Sequence, residues 1–219
     1  MNRLAIFDCD GTLVDSQHNI CLAMELCFAE AGLEPPSRER TRSVVGLSLV
    51  EAMRAILPDA GPEDHVALAD AYKSTFQGMR VRGLADEPLY DGIADLIEGL
   101  EATGWLLGVA TGKSDRGLAL CLDHHGLAAR FITLQTADRH PSKPHPSMVE
   151  QAMAETGAAV GSTLMIGDTS YDMAMARAAG ITAIGVTWGY HGPDTLREAG
   201  AHHLADHPLE ILELMKAMA

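Results

Sequence analysis

The stretch that most constrains this chain is Leu4-Ala5-Ile6-Phe7-Asp8-Cys9-Asp10-Gly11-Thr12-Leu13-Val14-Asp15-Ser16. Leu4 to Phe7 is wholly apolar and reads as a strand covered on both faces, the signature of a parallel sheet clad in helices. Two aspartates one residue apart follow it. Side chains at i and i+2 of an extended backbone point the same way, so Asp8 and Asp10 are expected to look together beyond the strand's carboxyl end, where open α/β sheets place ligands. Gly11 lets the chain turn sharply and brings backbone N–H groups into the same space. Two carboxylates this close stay ionised together only around a positive charge. Mg²⁺, an oxygen-seeking cation that bridges carboxylate to phosphate, meets that need. A calcium loop does not, because a loop starting at Asp8 would carry Asn19, not Glu, at its closing ligand position. A solvated turn leaves apolar Leu13 and Val14 unexplained.

Beyond Val14 no strand is legible until after Leu84. Ile20, Met24, Phe28 and Ala31 recur at helical spacing over His18–Ala31, with Gly32 as C-cap. A polar, Pro-containing stretch follows (Glu34 to Arg40). Helices are expected over Val50–Leu57 and Glu63–Met79, with Asp59–Pro62 as the loop between them. The block reads as an all-α insertion, residues 16–85, within an α/β core made of 1–15 and 86–219.

After Pro88 helix and strand alternate. Asp91 is expected to cap a helix carrying Ile93, Leu96, Ile97 and Leu100, stopped by Gly104. Strands are expected at Trp105–Ala110, Phe131–Leu134, Thr163–Ile166, Thr182–Val186 and Ala201–Leu204. The intervening helices are Ser114–His125, one opened by Pro146 at its first position, Thr169–Ala179 and a closing Pro208–Met218. Alternation of this kind means a Rossmann-like parallel sheet with right-handed crossovers.

Polar residues gather where these strands end. Thr111 and Gly112 offer a hydroxyl and a close N–H, suited to a phosphate oxygen or to capping the next helix. Lys143 stands before Pro144, a pinned point charge or a solvated lysine. Asp168 should enter the crevice of Asp8 and Asp10, and Asp172, a helical turn on, could brace Lys143 or the metal shell. Three or four carboxylates plus a phosphate ester need cations, and Lys143 with Mg²⁺ supplies them.

With these residues in their order, the chain resembles the haloacid dehalogenase superfamily, in its phosphoglycolate phosphatase-like branch. The resemblance runs through Asp8 to Ser16, Thr111, Lys143-Pro144 and Gly167-Asp168-x-x-x-Asp172, and spans essentially the whole chain, the insertion matching a helical cap. It implies an aspartyl-phosphate mechanism. Asp8 would be the nucleophile and Asp10 the acid, then the base. Thr111 would hold the phosphoryl group and Lys143 neutralise it. Asp8, Asp168 and the Asp10 carbonyl would hold Mg²⁺, with Asp172 behind. Gly46-Leu47-Ser48 resembles the family's substrate-contacting loop. Arg42 or Arg54 would then be a partner for an anionic group, or merely a solvated helix charge.

The presence of Asp10 departs from dehalogenases and phosphonoacetaldehyde hydrolases. β-Phosphoglucomutases carry a cap histidine ten residues after the second aspartate, where this chain has Ile20; His18 is off register. Thr-Gly-Lys replaces the Thr-Asn-Lys typical of phosphoglycolate phosphatases. The function implied is hydrolysis of a small phosphomonoester such as phosphoglycolate; a phosphomutase, a pyrophosphatase and a non-catalytic binding protein on the same fold are the alternatives.

Composition narrows the partners. A formal net charge of −14 argues against nucleic acid and anionic membranes. Cys9, Cys21, Cys27 and Cys121 form no C-x-x-C pair and read as free thiols. No leader or membrane-spanning run is legible. The expectation is a cytoplasmic monomer or homodimer with a small phosphorylated metabolite as its partner. His124, His125, His202, His203 and His207 are read as surface residues, not a metal site.

Overall fold

The structure, a computed structural model, describes residues 2–217. Six strands form one parallel sheet: β1 (Asn2–Phe7), β2 (Trp105–Thr111), β3 (Thr133–Thr136), β4 (Ala158–Gly167), β5 (Thr182–Val186) and β6 (His203–Ala205). Their order is β3-β2-β1-β4-β5-β6. The chain runs outward from β1 in one direction, returns to the middle, and runs outward in the other. β1 pairs with β2 on one side and β4 on the other, so the switch point lies at the carboxyl end of β1, where a sheet of this kind opens a crevice.

Alternation along β1 builds both faces of the core. Ala5 and Phe7 pack with Ile93, Leu96 and Leu100 of α5 (Ile93–Ala102), Leu118 and Leu122 of α6 (Asp115–His124), and Ile211 of α10 (Pro208–Ala217). Leu4 and Ile6 pack the other way, against Met148 and Ala152 of α7 (Ser147–Thr156), Met173 and Ala176 of α8 (Ser170–Ala178), and Leu196 of α9 (Pro193–Ala199). Leu4 to Phe7 are completely buried, as the unbroken apolar run requires.

The four helices α1 (Gln17–Glu30), α2 (Arg38–Arg42), α3 (Leu49–Ile56) and α4 (Pro62–Val81) form a core of their own around Met24, Phe28, Met53, Leu68 and Met79. α2 occupies the stretch read as a polar linker. It is a single turn and a half, and its sequence signal is Ser37, whose Oγ accepts the Arg40 N–H at 3.1 Å.

Other boundaries move for local reasons. β3 begins two residues later than the apolar run suggests. Phe131 plugs the core against Phe7, edge-on at 6.2 Å, while Gln135 and Thr136 take up the pairing with β2. Gln135 satisfies its buried amide on Thr133 and Glu155, which is why a polar residue is tolerated there. Asp91 does not cap α5. Gly92 does, at φ +85°, and a side chain there would run into His207 at 2.9 Å. Pro146 is the N-cap residue of α7 and not its first helical residue. The closing helix is described to Ala217, so Met218 lies outside the described residues. His124, His202 and His207 are exposed, and His125 and His203 half-buried.

Candidate active site

Strand ends bring the predicted residues together. Asp8 follows the last residue of β1, Thr111 ends β2, and Asp168 follows the end of β4. Lys143 arrives from the β3–α7 connection and is fully buried, as are Asp8, Thr111, Asp168 and Asp172, each 1 % exposed or less. The Lys143 ammonium lies 3.0 Å from Asp8 Oδ1 and 2.6 Å from Asp172 Oδ1. The other oxygen of Asp172 accepts the Thr169 N–H and hydroxyl at 3.0 and 2.7 Å, so Asp172 is fastened to the start of α8 and braces Lys143 from behind.

Asp168 is held as firmly. Thr12 donates its hydroxyl to Oδ1 at 2.8 Å, and the Tyr190 N–H donates to Oδ2 at 2.9 Å. Gly11, at φ +81°, is needed here: a Cβ on it would lie 2.2 Å from Asp168 Oδ2. The Cys9 N–H donates to Asp8 Oδ1 at 2.7 Å. Asp8 Oδ2, in contrast, is buried and has no hydrogen-bond partner among the described residues.

The charges do not balance within this cluster. Asp8, Asp168 and Asp172 offer oxygens within 4.8 Å of one another, and one ammonium faces three carboxylates. Burial, followed by the charges of Asp172 and Asp10, pushes Asp8 up to about 7 even though Lys143 opposes it. Burial, followed by the charges of Asp8 and Asp172, raises Asp168. Burial works against the Lys143 charge, but Asp172 and Asp8 outweigh it and hold the ammonium above its usual range. An unpartnered buried carboxylate oxygen in a set of oxygen donors with excess negative charge fits a divalent cation.

Asp10 faces another way. Its Oδ1 lies 2.8 Å from the Lys113 ammonium and accepts the Ser16 hydroxyl, which also lies 3.0 Å from the Tyr190 hydroxyl. Lys113 is paired in turn with Glu87 at 2.7 Å, and Glu87 with Arg80 at the end of α4. The sequence motifs contain Thr12, Ser16 and Lys113 but give them no role, and Glu87, Arg80 and Tyr190 carry no signal there. A lysine directly after Thr111-Gly112 was the available signal, since the strand end that aims Thr111 also places Lys113 near Asp10.

The segment before α3 closes over these residues. Ser48 donates its N–H to Ser142 Oγ at 2.8 Å, one residue from Lys143, and the Tyr171 hydroxyl donates to the Ser43 carbonyl at 3.0 Å. Gly112 lies under the same segment: a Cβ on it would meet the Leu47 carbonyl oxygen at 2.5 Å and that of Gly46 at 2.9 Å. A cavity of about 310 Å³ remains, reached by Asp8, Asp10, Thr111, Gly112 and Gly46. Ser48 contributes through its backbone, outside the cavity wall. Arg42 and Arg54, weighed as an anionic-group partner or a solvated helix charge, do not line it. Arg42 is exposed, and Arg54 pairs with Glu51 at 2.7 Å on the surface. Arg80, Lys113 and Arg116 line it instead.

The model of the family described as haloacid dehalogenase-like hydrolase matches residues 5–186. The chain belongs to that family. Among its relatives, the "Probable phosphatase IndB" of Dickeya dadantii is 34 % identical, aligned over 100 % of this chain and 95 % of that protein. A phosphoglycolate phosphatase of Pseudomonas fluorescens is 30 % identical over 90 % of this chain and 74 % of its own. A solved structure described as a predicted phosphatase from Clostridium acetobutylicum superposes with a TM-score of 0.88 at 25 % identity, covering 99 % of both chains. Among the described residues, no helix is long and apolar enough to cross a membrane.

Proposed function

We propose that this protein is a Mg²⁺-dependent phosphatase that hydrolyses a small phosphomonoester through an aspartyl-phosphate on Asp8. The observation that carries this reading is the buried Oδ2 of Asp8, without a partner among the described residues while Oδ1 pairs with the Lys143 ammonium, in a carboxylate that lines one cavity with Asp10.

Asp8, Asp168 and the Asp10 carbonyl would hold the metal, with Asp172 steadying Lys143. When bound, Mg²⁺ supplies positive charge that offsets the carboxylates and the phosphoryl oxygens. Lys143 and Asp172 fix the Asp8 carboxylate in place. Thr111 and the Gly112 N–H orient the phosphoryl group, so that an Asp8 oxygen attacks phosphorus in line with the ester oxygen. The bond from phosphorus to the alcohol oxygen breaks, and Asp10 gives that oxygen its proton. Asp10 then takes a proton from water, which attacks the phosphoryl group, breaks its bond to Asp8 and frees inorganic phosphate. Ile20, which lines the cavity where a mutase would place its cap histidine, favours release of the free alcohol over return of the phosphate.

The relatives named phosphoglycolate phosphatase make phosphoglycolate the reference compound. The test is phosphate release from a panel of phosphate esters and pyrophosphate, with Mg²⁺ and with chelator. Mg²⁺-dependent release from esters supports the reading. Release from no compound by folded protein removes it in favour of a mutase or a binding protein.

A further inference from the structure

The chamber above Asp10 has walls unlike those a two-carbon acid needs. α1 contributes Ile20 and Met24, α4 contributes Tyr72 and Phe76, and the segment before α3 contributes Val44 and Leu47. Tyr72 and Phe76 lie 6.1 Å apart, tilted by 35°, as a pair of aromatic faces one helical turn apart. The Arg80 guanidinium and the Lys113 ammonium stand 5.4 and 5.7 Å from the Phe76 ring centre. Both cations are already engaged by Glu87, and Lys113 by Asp10 as well. Neither is therefore poised to receive the carboxylate of a substrate such as phosphoglycolate. Lys73, Gln77 and Arg116 stand at the solvent-exposed mouth. The sequence of surfaces from floor to mouth is thus a phosphoryl site, a ring-lined apolar chamber, and a polar rim.

From this order of surfaces we infer that the alcohol half of the substrate carries an apolar, planar body about the size of one aromatic ring, held between α1 and the Tyr72–Phe76 pair. The inference rests on the phosphatase reading above for where the phosphate sits. A volume of about 310 Å³ is at the small end for organic ligands, which excludes bodies much larger than a ring. An ethyl-sized alcohol would leave most of the apolar wall in contact with water. A ring moving from water to such walls gains roughly thirty-fold or more in binding, even after losses to ordering.

The test compares phenethyl phosphate with ethyl phosphate, whose alcohols are both primary and similar in acidity, so that leaving-group chemistry is matched. Phosphoglycolate is the third compound. Wild-type kcat/KM is expected to favour phenethyl phosphate over ethyl phosphate by about thirty-fold or more. Phe76→Ala should shrink that ratio about tenfold, and Tyr72→Leu should shrink it as well. Equal kcat/KM for the two esters, or a preference for phosphoglycolate over phenethyl phosphate, would overturn the inference and leave the phosphatase reading standing. A binding arm separates the two ideas when no ester is hydrolysed. Phenethylphosphonate bound at least tenfold more tightly than ethylphosphonate, by titration calorimetry, would support the chamber and remove the phosphatase reading. Equal affinity for the two phosphonates would overturn the chamber whatever the turnover.

Discussion

The ammonium of Lys113 bridges Asp10 and Glu87, 2.8 Å from one carboxylate and 2.7 Å from the other. Glu87 lies in the connection between α4 and α5, and Arg80 at the end of α4 binds its other oxygen. The proposed acid is therefore tied, through one lysine and one glutamate, to the helices above it. Burial alone would raise Glu87, yet Lys113 and Arg80 outweigh it and hold the carboxyl below its ordinary range.

Lys113→Met should cut kcat by about a hundredfold, because Asp10 loses the partner that fixes it. It should also cost about 3 kcal/mol of stability, since Glu87 is left buried beside one fewer cation. Adding Glu87→Gln should recover part of the stability, read by urea unfolding, without recovering kcat. Recovery of both together would show that Lys113 serves the fold alone.

Asp8→Asn should lower turnover by about 10⁴-fold or more while the protein stays folded. Burial makes the Asp8 charge costly, and an amide of the same shape removes that cost. The metal-free variant should melt no lower than wild type. Turnover near wild type in a verified sample would exclude a covalent intermediate on this residue.

Gly112→Ala addresses closure. Its Cβ would collide with the carbonyl oxygens of Gly46 and Leu47, which belong to backbone and cannot swing aside. Closure of the helices should be impeded, with kcat/KM lowered roughly tenfold to a hundredfold and little change in melting temperature. Unaltered kinetics would mean that the contact with Gly46 and Leu47 is not needed for turnover.

Mg²⁺ at a hundred times its dissociation constant should stabilise the protein by about 2.7 kcal/mol, a rise of about 5–10 °C in melting temperature for a chain of this size. Chelator should reverse it, and Asp168→Asn should flatten the response. A scan that is indifferent to Mg²⁺ would argue that the acidic cluster holds no divalent cation.

The sequence made the sheet legible because β1 is apolar at every position and its Asp-x-Asp ending admits few structures. Asp8, Thr111 and Asp168 are readable because each ends or directly follows a strand whose direction the pattern fixes; Asp172 lies in the first turn of the helix after Asp168, and Lys143 is marked by the proline that follows it. Lys113, Glu87 and Arg80 were not readable as a unit. Their pairing depends on how α4 and the segment after it lie against β2, and neither periodicity nor spacing encodes that placement. Spacing likewise leaves Arg42 and Arg54 open between a substrate partner and a solvated helix charge, and neither lines the cavity. Positive charge near a loop says nothing of which way the helix carrying it faces, and Arg54 spends its charge on Glu51 three residues away. β3 begins two residues after the expected start because a buried phenylalanine imitates a strand residue while the strand itself, Thr133–Thr136, is polar at three of its four positions.

The central position of β1 also orders events during synthesis. Its two neighbours, β2 and β4, follow roughly a hundred and more than a hundred and fifty residues later, so the strand bearing Asp8 is made long before anything can pair with it. The helices around Met24, Phe28 and Met79 lie in one continuous stretch and can consolidate on the ribosome while β1 waits. The acidic pair at the end of β1 thus remains in water, hydrated and harmless, until Lys113 and Lys143 emerge to meet it. The centre becomes competent only once β4 has slotted in beside the first strand.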